Sequence, residues 1–390
     1  MTIVGWVYLI IKLIELFVLY RVGVYIETKS SKNKYWKYAS FAIITFGLVE
    51  GLRWGHMRDY NIYYYNYTAI NTFQDVCEES SPVFAFLVYI LRNLGIDYPS
   101  FLILQSAFLM FSCLFFLKDY SKNARITLPC LLIALAMNEN FIRTYLGMSF
   151  FLIGFTFFNN KKYKISLGFI VVSILTHFAC GFMILFVMMK PILEKGGIKP
   201  IYSVPLIIFT TFFVSITQMS ILVSMSNYVT ILLGGNVDTL ALDYIDSMDR
   251  IIVGEGGAGL GVSETTILSQ IKYLLSCLPV VLICYKDRGN IPSGVYLYNL
   301  VLIGFVFCPI FSQVELLGRF TDQLLIFVPL FMSHMVRISK EKKKAHFQQF
   351  VAICSLLVYM YGSINRPFVM PDKEMYFIWD SNGMPTNSNY

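Results

Sequence analysis

Residues 101–117 read Phe101-Leu102-Ile103-Leu104-Gln105-Ser106-Ala107-Phe108-Leu109-Met110-Phe111-Ser112-Cys113-Leu114-Phe115-Phe116-Leu117, with no formal charge until Lys118. A helix rises about 1.5 Å per residue, so about 20 such residues cross a hydrocarbon core about 30 Å thick. The stretch is one of many. Similar apolar segments lie near 3–21, 38–54, 98–118, 125–138, 141–159, 165–177, 178–190, 200–222, 267–285, 294–312, 318–336 and 347–364. Only 14% of the 390 residues are charged and 56% are hydrophobic. Soluble domains carry roughly 25% charged residues. Helices are the spanning structures that satisfy backbone hydrogen bonds without a partner strand, and the alternation of a membrane barrel is absent. The expected fold class is therefore all-α: a single polytopic integral membrane bundle over residues 1–390. It has about 12 spans, with broken or re-entrant helices lining an outward-facing cavity.

Basic residues set the sidedness. Arg21, Lys29, Lys32, Lys34 and Lys37 form one cluster, and Arg337, Lys340, Lys342, Lys343 and Lys344 another. Smaller clusters are Lys118, Lys122 and Arg125; Lys161, Lys162 and Lys164; Lys190, Lys195 and Lys199; and Lys286 with Arg288. Together they hold most of the chain's 31 Lys and Arg, which makes these loops cytoplasmic and both termini external. The formal charge of +7 is thus a topological signal and does not point to nucleic acid. Two segments strain the count. Residues 82–96 read as a re-entrant or interfacial hairpin, because a full span there would invert every later loop. Residues 165–190 split at His177 for the same reason. Each half is then too short to cross alone, so the break is expected to line a polar cavity or pack on protein.

Two long outer loops follow, 55–81 and 223–266. The second holds Gly254, Gly256, Gly257, Gly259 and Gly261 with Asp238, Asp243, Asp246, Asp249 and Glu255. It reads either as a lid over an outward cavity or as a solvated loop with no further role. The eight cysteines show no CxxC and no metal-type spacing, and read as small buried hydrophobes. The first apolar segment lacks a basic leader and a small-residue cleavage site, and reads as a retained helix. No metal site and no cofactor are expected.

The ionisable residues of the apolar stretches, Arg53, Asp59, Arg143, His177 and Arg319, all fall at one membrane face in this topology. Each such group costs roughly 2.5–3.5 kcal/mol at depth, so a polar ligand among them is expected. Gly51-Leu52-Arg53-Trp54-Gly55-His56-Met57-Arg58-Asp59-Tyr60-Asn61-Ile62-Tyr63-Tyr64-Tyr65 closes the second span. Arg53 offers a planar fork for phosphate oxygens. Tyr60, Tyr63 and Tyr64 suit sugar faces or the interfacial belt. A topological anchor or a structural Arg53–Asp59 pair is the plain alternative. Asn138-Glu139-Asn140-Phe141-Ile142-Arg143 puts a cation in the first turn of a helix, where an anionic partner is needed. That partner is either Glu139 or a ligand phosphate. His177 at the helix break could act as a general base or a phosphate ligand. Arg319 has Glu315 and Asp322 within a turn, so an internal ion pair competes with ligand binding.

In this order the motifs resemble those of the Wzy/EpsG-type polysaccharide polymerases, membrane enzymes of bacterial O-antigen, capsule and exopolysaccharide assembly. Arg53, Trp54, Asp59 and Tyr63 match the family's Arg/Asp/Tyr spacing after the second span, with Met57 in place of the usual Gly. Asn140, Arg143 and Leu146 fit its next motif, with Gly147 for Ala. His177 to Gly181, Arg319 to Pro329 and a tail from Pro371 to Trp379 fit the remainder. The resemblance implies a metal-independent glycosyltransferase. Its substrate is an oligosaccharide repeat unit on undecaprenyl diphosphate, and its partners are the lipid bilayer and a chain-length regulator. It implies multi-pass placement in the bacterial inner (cytoplasmic) membrane, with the site facing the periplasm or outside. It implies Arg53, Arg143 and Arg319 as diphosphate ligands, with Tyr60, Tyr63, Tyr64, Glu139 and Asn140 around the substrate, and His177 or Asp59 as the base. The rival classes are a lipid-linked oligosaccharide flippase or other transporter, an O-antigen ligase, a metal-dependent glycosyltransferase using paired carboxylates, and a polytopic protein with no catalysis.

Overall fold

The computed structural model describes residues 2–29, 34–55, 59–213, 266–311, 315–341, 346–369 and 375–380. These form helices joined by short turns: α1 (Ile3–Lys29), α2 (Tyr35–Gly51), α3 (Tyr60–Ala69), α4 (Phe73–Glu78), α5 (Pro82–Asn93), α6 (Tyr98–Leu117), α7 (Ala124–Ala134), α8 (Ile142–Asn159) and α9 (Tyr163–Thr176). They continue as α10 (Phe182–Met188), α11 (Lys190–Lys195), α12 (Pro200–Phe213), α13 (Ile267–Cys284), α14 (Gly294–Phe311), α15 (Glu315–Leu325), α16 (Val328–Glu341), α17 (His346–Ile364) and α18 (Arg366–Val369). The protein is an all-α membrane protein. Among the described residues, four stretches are long and apolar enough to cross a bilayer: Ile3–Thr28, Tyr98–Ala134, Ile267–Cys284 and Gly294–Phe311. Several other helices show large apolar side chains outward, such as Leu167, Val171 and Leu175 on α9, Phe209 and Phe213 on α12, and Phe350 and Leu357 on α17. Water would not tolerate so much contiguous apolar surface, whereas lipid does.

The main core joins α1, α2, α6, α7 and α8 to α13, α14, α16 and α17. Helix α2 lies so close to α6 that a Cβ on Gly51 would sit 2.4 Å from the Ile103 Cα. Buried phenols find backbone acceptors, as burial demands. Tyr35 Oη donates to Leu114 O at 2.7 Å, and Tyr298 Oη to Val281 O at 2.7 Å. A smaller aromatic core holds α3, α4 and α5 against the ends of α6 and α8, with Tyr60, Tyr67, Phe84, Tyr98 and Phe101 at its centre. Residues 59–78 are thus two packed helices. A capping box starts α4: Thr72 accepts from the Asp75 N–H while the Asp75 carboxylate accepts from the Thr72 N–H at 2.7 Å. These amide donors hold the Asp75 carboxyl below its ordinary value. Arg92 then ties α5 to the end of α3, donating to Thr68 O at 2.6 Å and Ile70 O at 2.8 Å.

Helix breaks are the feature that builds the site. α9 stops at Thr176, and His177 is extended at φ −159°, ψ 121° before a 3-10 turn leads to α10. The break falls where the sequence splits 165–190. A second break interrupts the segment expected as one span at 318–336. α15 ends at Leu325 and α16 starts at Val328, and Pro329 has no N–H to donate to the Leu325 carbonyl, so the helical ladder does not run on across the gap. The Gly/Asp-rich loop expected at 223–266 lies, up to residue 265, outside the described residues.

Candidate active site

Four elements converge at one end of the bundle. The first is the start of α8, which carries Arg143. Its guanidinium meets Glu79 at 3.7 Å and lies 5.4 Å from the ring centres of both Tyr63 and Phe84. The second is α15, which carries Arg319. It meets Asp59 at 3.9 Å and stacks over Phe141 at 4.3 Å. The third is the break at His177, whose imidazole is buried and whose Nε2 has no hydrogen-bond partner among the described residues. Arg319 and Arg143 are the charged groups that act on that ring. The fourth is α3, whose Tyr63 sits within electrostatic reach of Arg143, Asp59 and Arg319 together. Burial pushes the Tyr63 phenol up, against the pull of the Arg143 guanidinium, so at neutral pH it remains a hydrogen-bond donor.

Local packing explains these positions. Asn140 Oδ1 accepts from the Asp59 N–H at 3.1 Å, pinning the start of α3 to the α7–α8 turn. Ser173 Oγ donates to Gly147 O at 2.6 Å, and a Cβ on Gly147 would lie 2.7 Å from Cys180 Sγ. α8 and the His177 break therefore touch through a residue with no side chain. Gln323 Nε2 donates to Ala179 O at 3.3 Å and fixes α15 to the same break. The arginines and the histidine thus share one rigid frame.

Several sequence-level expectations move. Arg53 is buried, with its Nη1 donating to Glu50 O. Its backbone pairs with the C-terminal segment through an antiparallel bridge to Phe377. Trp54 N donates to Tyr376 O and Ile378 N to Leu52 O, both at 2.9 Å. Nε and Nη2 of Arg53 have no hydrogen-bond partner among the described residues. The expected Arg53–Asp59 pair is replaced by Arg319–Asp59. Arg143 meets Glu79 where Glu139 was the expected internal acid. Glu139 is itself buried and acts on Lys12 and Glu15. Asp322 feels the Arg319 charge, as its position one turn on suggests. Tyr60 is fully enclosed by the aromatic core, its carbonyl accepting from Tyr98 Oη at 3.2 Å, while Tyr64 is half-buried with its ring edge-on to Tyr98.

One premise also needs correction. The five ionisable residues singled out from the sequence are not all of those in the apolar stretches. Lys12 and Glu15 lie within α1 and pair at 3.1 Å, and Lys12 also binds Glu50 of α2. An i, i+3 spacing puts such a pair on one helix face, and mutual pairing is what makes burial tolerable there. Glu79 and this buried cluster are the ionisable groups that sequence reasoning missed. The Lys12/Glu15 spacing was a usable signal; Glu79, one acid in a polar loop, gave none. Beside Glu79 an open cavity of about 200 Å³ is lined by Ala69, Ile70, Asp75, Glu78 and Glu79. Among the described residues no group of three or more His, Cys, Asp or Glu converges as a metal site would.

The fold and site together define a broken-helix membrane bundle with two arginines and a histidine gathered at one end. Residues 34–377 match the EpsG family, and the chain belongs to it. Membership supports a function of the polysaccharide-polymerase type. Comparison with curated proteins and with solved structures finds no match.

Proposed function

We propose that the protein joins oligosaccharide repeat units carried on undecaprenyl diphosphate into O-antigen, capsule or exopolysaccharide, by metal-independent glycosyl transfer at the outer face of the bacterial cytoplasmic membrane. The observation that carries this reading is the convergence of Arg143, Arg319 and His177 at one end of an apolar bundle. Each guanidinium faces a carboxylate at 3.7–3.9 Å, longer than a direct charge-assisted hydrogen bond of about 2.7–2.9 Å. Such pairs are loose enough to exchange a carboxylate for a ligand phosphate.

In the reaction, the hydroxyl of an incoming unit attacks the anomeric carbon of the growing chain. The bond from that carbon to the diphosphate oxygen breaks, and its electron pair leaves with the diphosphate. Negative charge grows on that oxygen, so donors fixed in advance favour the transition state over the bound substrate. Arg143 and Arg319 supply the cations. His177 supplies a ring N–H to a phosphate oxygen from Nε2, which has no hydrogen-bond partner among the described residues. Tyr63 donates from the middle of the group. Arg53 holds the C-terminal segment against the end of α2 through its backbone bridge to Phe377. About 12 spans would then cross the membrane, with the site open to the outside. A chain-length regulator is a natural partner.

Complementation tests this. A strain lacking its own polymerase, supplied with this chain, should display a ladder of surface polysaccharide. Repeat units held on the inner leaflet, with none reaching the surface, would instead indicate flipping and defeat the proposal.

A further inference from the structure

The geometry points to Glu79 as the general base that takes the acceptor hydroxyl's proton, an inference that rests on the polymerase reading. Glu79 belongs to two places at once. Its carboxylate meets Arg143 at 3.7 Å, and the residue lines the open cavity of about 200 Å³ beside α3 and α4. It therefore stands between the half-buried Arg143 and the space through which a sugar hydroxyl can arrive. The other candidates lack that position. His177 is buried at the helix break. Asp59 has its backbone held by Asn140 and its carboxylate set against Arg319, and neither residue lines the cavity.

The backbone suits the role. Glu79 ends α4 in an extended conformation, φ −80° and ψ 136°. Its side chain keeps 30% of its surface exposed, so the carboxylate can turn from Arg143 toward the cavity. When a diphosphate takes Arg143, Glu79 loses its cation and gains an anionic neighbour. The carboxylate is then free of its ion pair and can accept a hydrogen bond from the acceptor hydroxyl. The step balances. The acceptor O–H bond breaks and its proton passes to a Glu79 oxygen. The freed oxygen pair forms the bond to the anomeric carbon, and the diphosphate leaves with the old bonding pair. Glu79 then releases its proton to water in the cavity.

The experiment uses the full chain in lipid nanodiscs with lipid-linked repeat units extracted from the complemented strain. Undecaprenyl diphosphate serves as a separate binding probe. Glu79→Gln should lower the polymerisation rate at least about 100-fold, the usual size of a general-base contribution. Its residual rate should lack the acid-side fall expected of the wild type, and undecaprenyl diphosphate should bind at least as tightly. Glu79→Asp should keep a measurable rate with that acid-side fall. A Glu79→Gln rate within about threefold of the wild type overturns the assignment. So does loss of rate together with loss of diphosphate binding and an unchanged pH profile, which would make Glu79 a structural counter-ion. A wild type that builds no polymer defeats the polymerase reading itself, and so separates the two failures.

Discussion

Gly147→Ala should uncouple the two halves of the site. The added Cβ would meet Cys180 Sγ at 2.7 Å and Ser173 O at 3.1 Å, where ordinary contact begins at 3.4 Å. The backbone oxygen cannot rotate away, and Ser173 Oγ already donates to the Gly147 carbonyl across the same contact. α8 and the His177 break must therefore separate. Overpacking of this kind costs about 1–3 kcal/mol. The shift moves Arg143, one turn back on α8, relative to His177. A misplacement of about 1 Å can lower a rate roughly 100-fold. The assay has two parts: heat survival of the detergent-solubilised protein, and polymer yield in the complemented strain at matched membrane levels. Both should fall. Gly147→Ala combined with Cys180→Ala removes the nearest clashing atom and should recover part of each. Wild-type stability and polymer yield in Gly147→Ala would refute the close approach. A Cys180→Ala partner that restores nothing would refute the identity of the clash.

Other perturbations separate charge from geometry. Arg143→Lys keeps the cation but loses the fork and weakens the contacts with Tyr63 and Phe84. At about 2–3 kcal/mol for a lost charge-assisted bond and weakened ring contacts, the reconstituted rate should fall about 30- to 150-fold. A rate within about threefold would remove Arg143 from the anion site. Lys12→Met leaves Glu15 and Glu50 buried without their ammonium. Breaking a buried pair costs about 3–5 kcal/mol, so folded protein in the membrane should drop sharply. Lys12→Met with Glu15→Leu and Glu50→Leu should restore it. Normal yield in the single variant would contradict the buried network.

Some elements of the fold and site are legible in particular residues, and others are not. Uncharged runs such as 101–117 announce helices because lipid offers the backbone no other partner. The break at His177 was legible through length and charge, since one helix over 165–190 would place a lysine-rich loop on the wrong side. The break before Val328 was less visible, although Pro329 marked it, because the surrounding run is long enough to read as one span. The candidate site divides in the same way. Arg143 and Arg319 stand out as charges beside apolar runs. Their partners do not, because Glu79 and Asp59 reach them only after α3 and α4 fold back as packed helices. The Tyr-rich stretch was ambiguous for a physical reason: one ring serves equally as core or as sugar platform. Packing then encloses Tyr60, buries Tyr63 against Arg143 and leaves Tyr65 exposed.

The most direct test is reconstitution of the purified full chain in nanodiscs with lipid-linked repeat units and no added nucleotide sugar. Polymer length and released undecaprenyl diphosphate would be followed together. The account predicts polymer in the wild type, one diphosphate released for each linkage formed, and neither product with Arg143→Ala or Arg319→Ala. Unchanged repeat units after incubation with well-folded wild type, or polymer from the arginine variants at the wild-type rate, would contradict it.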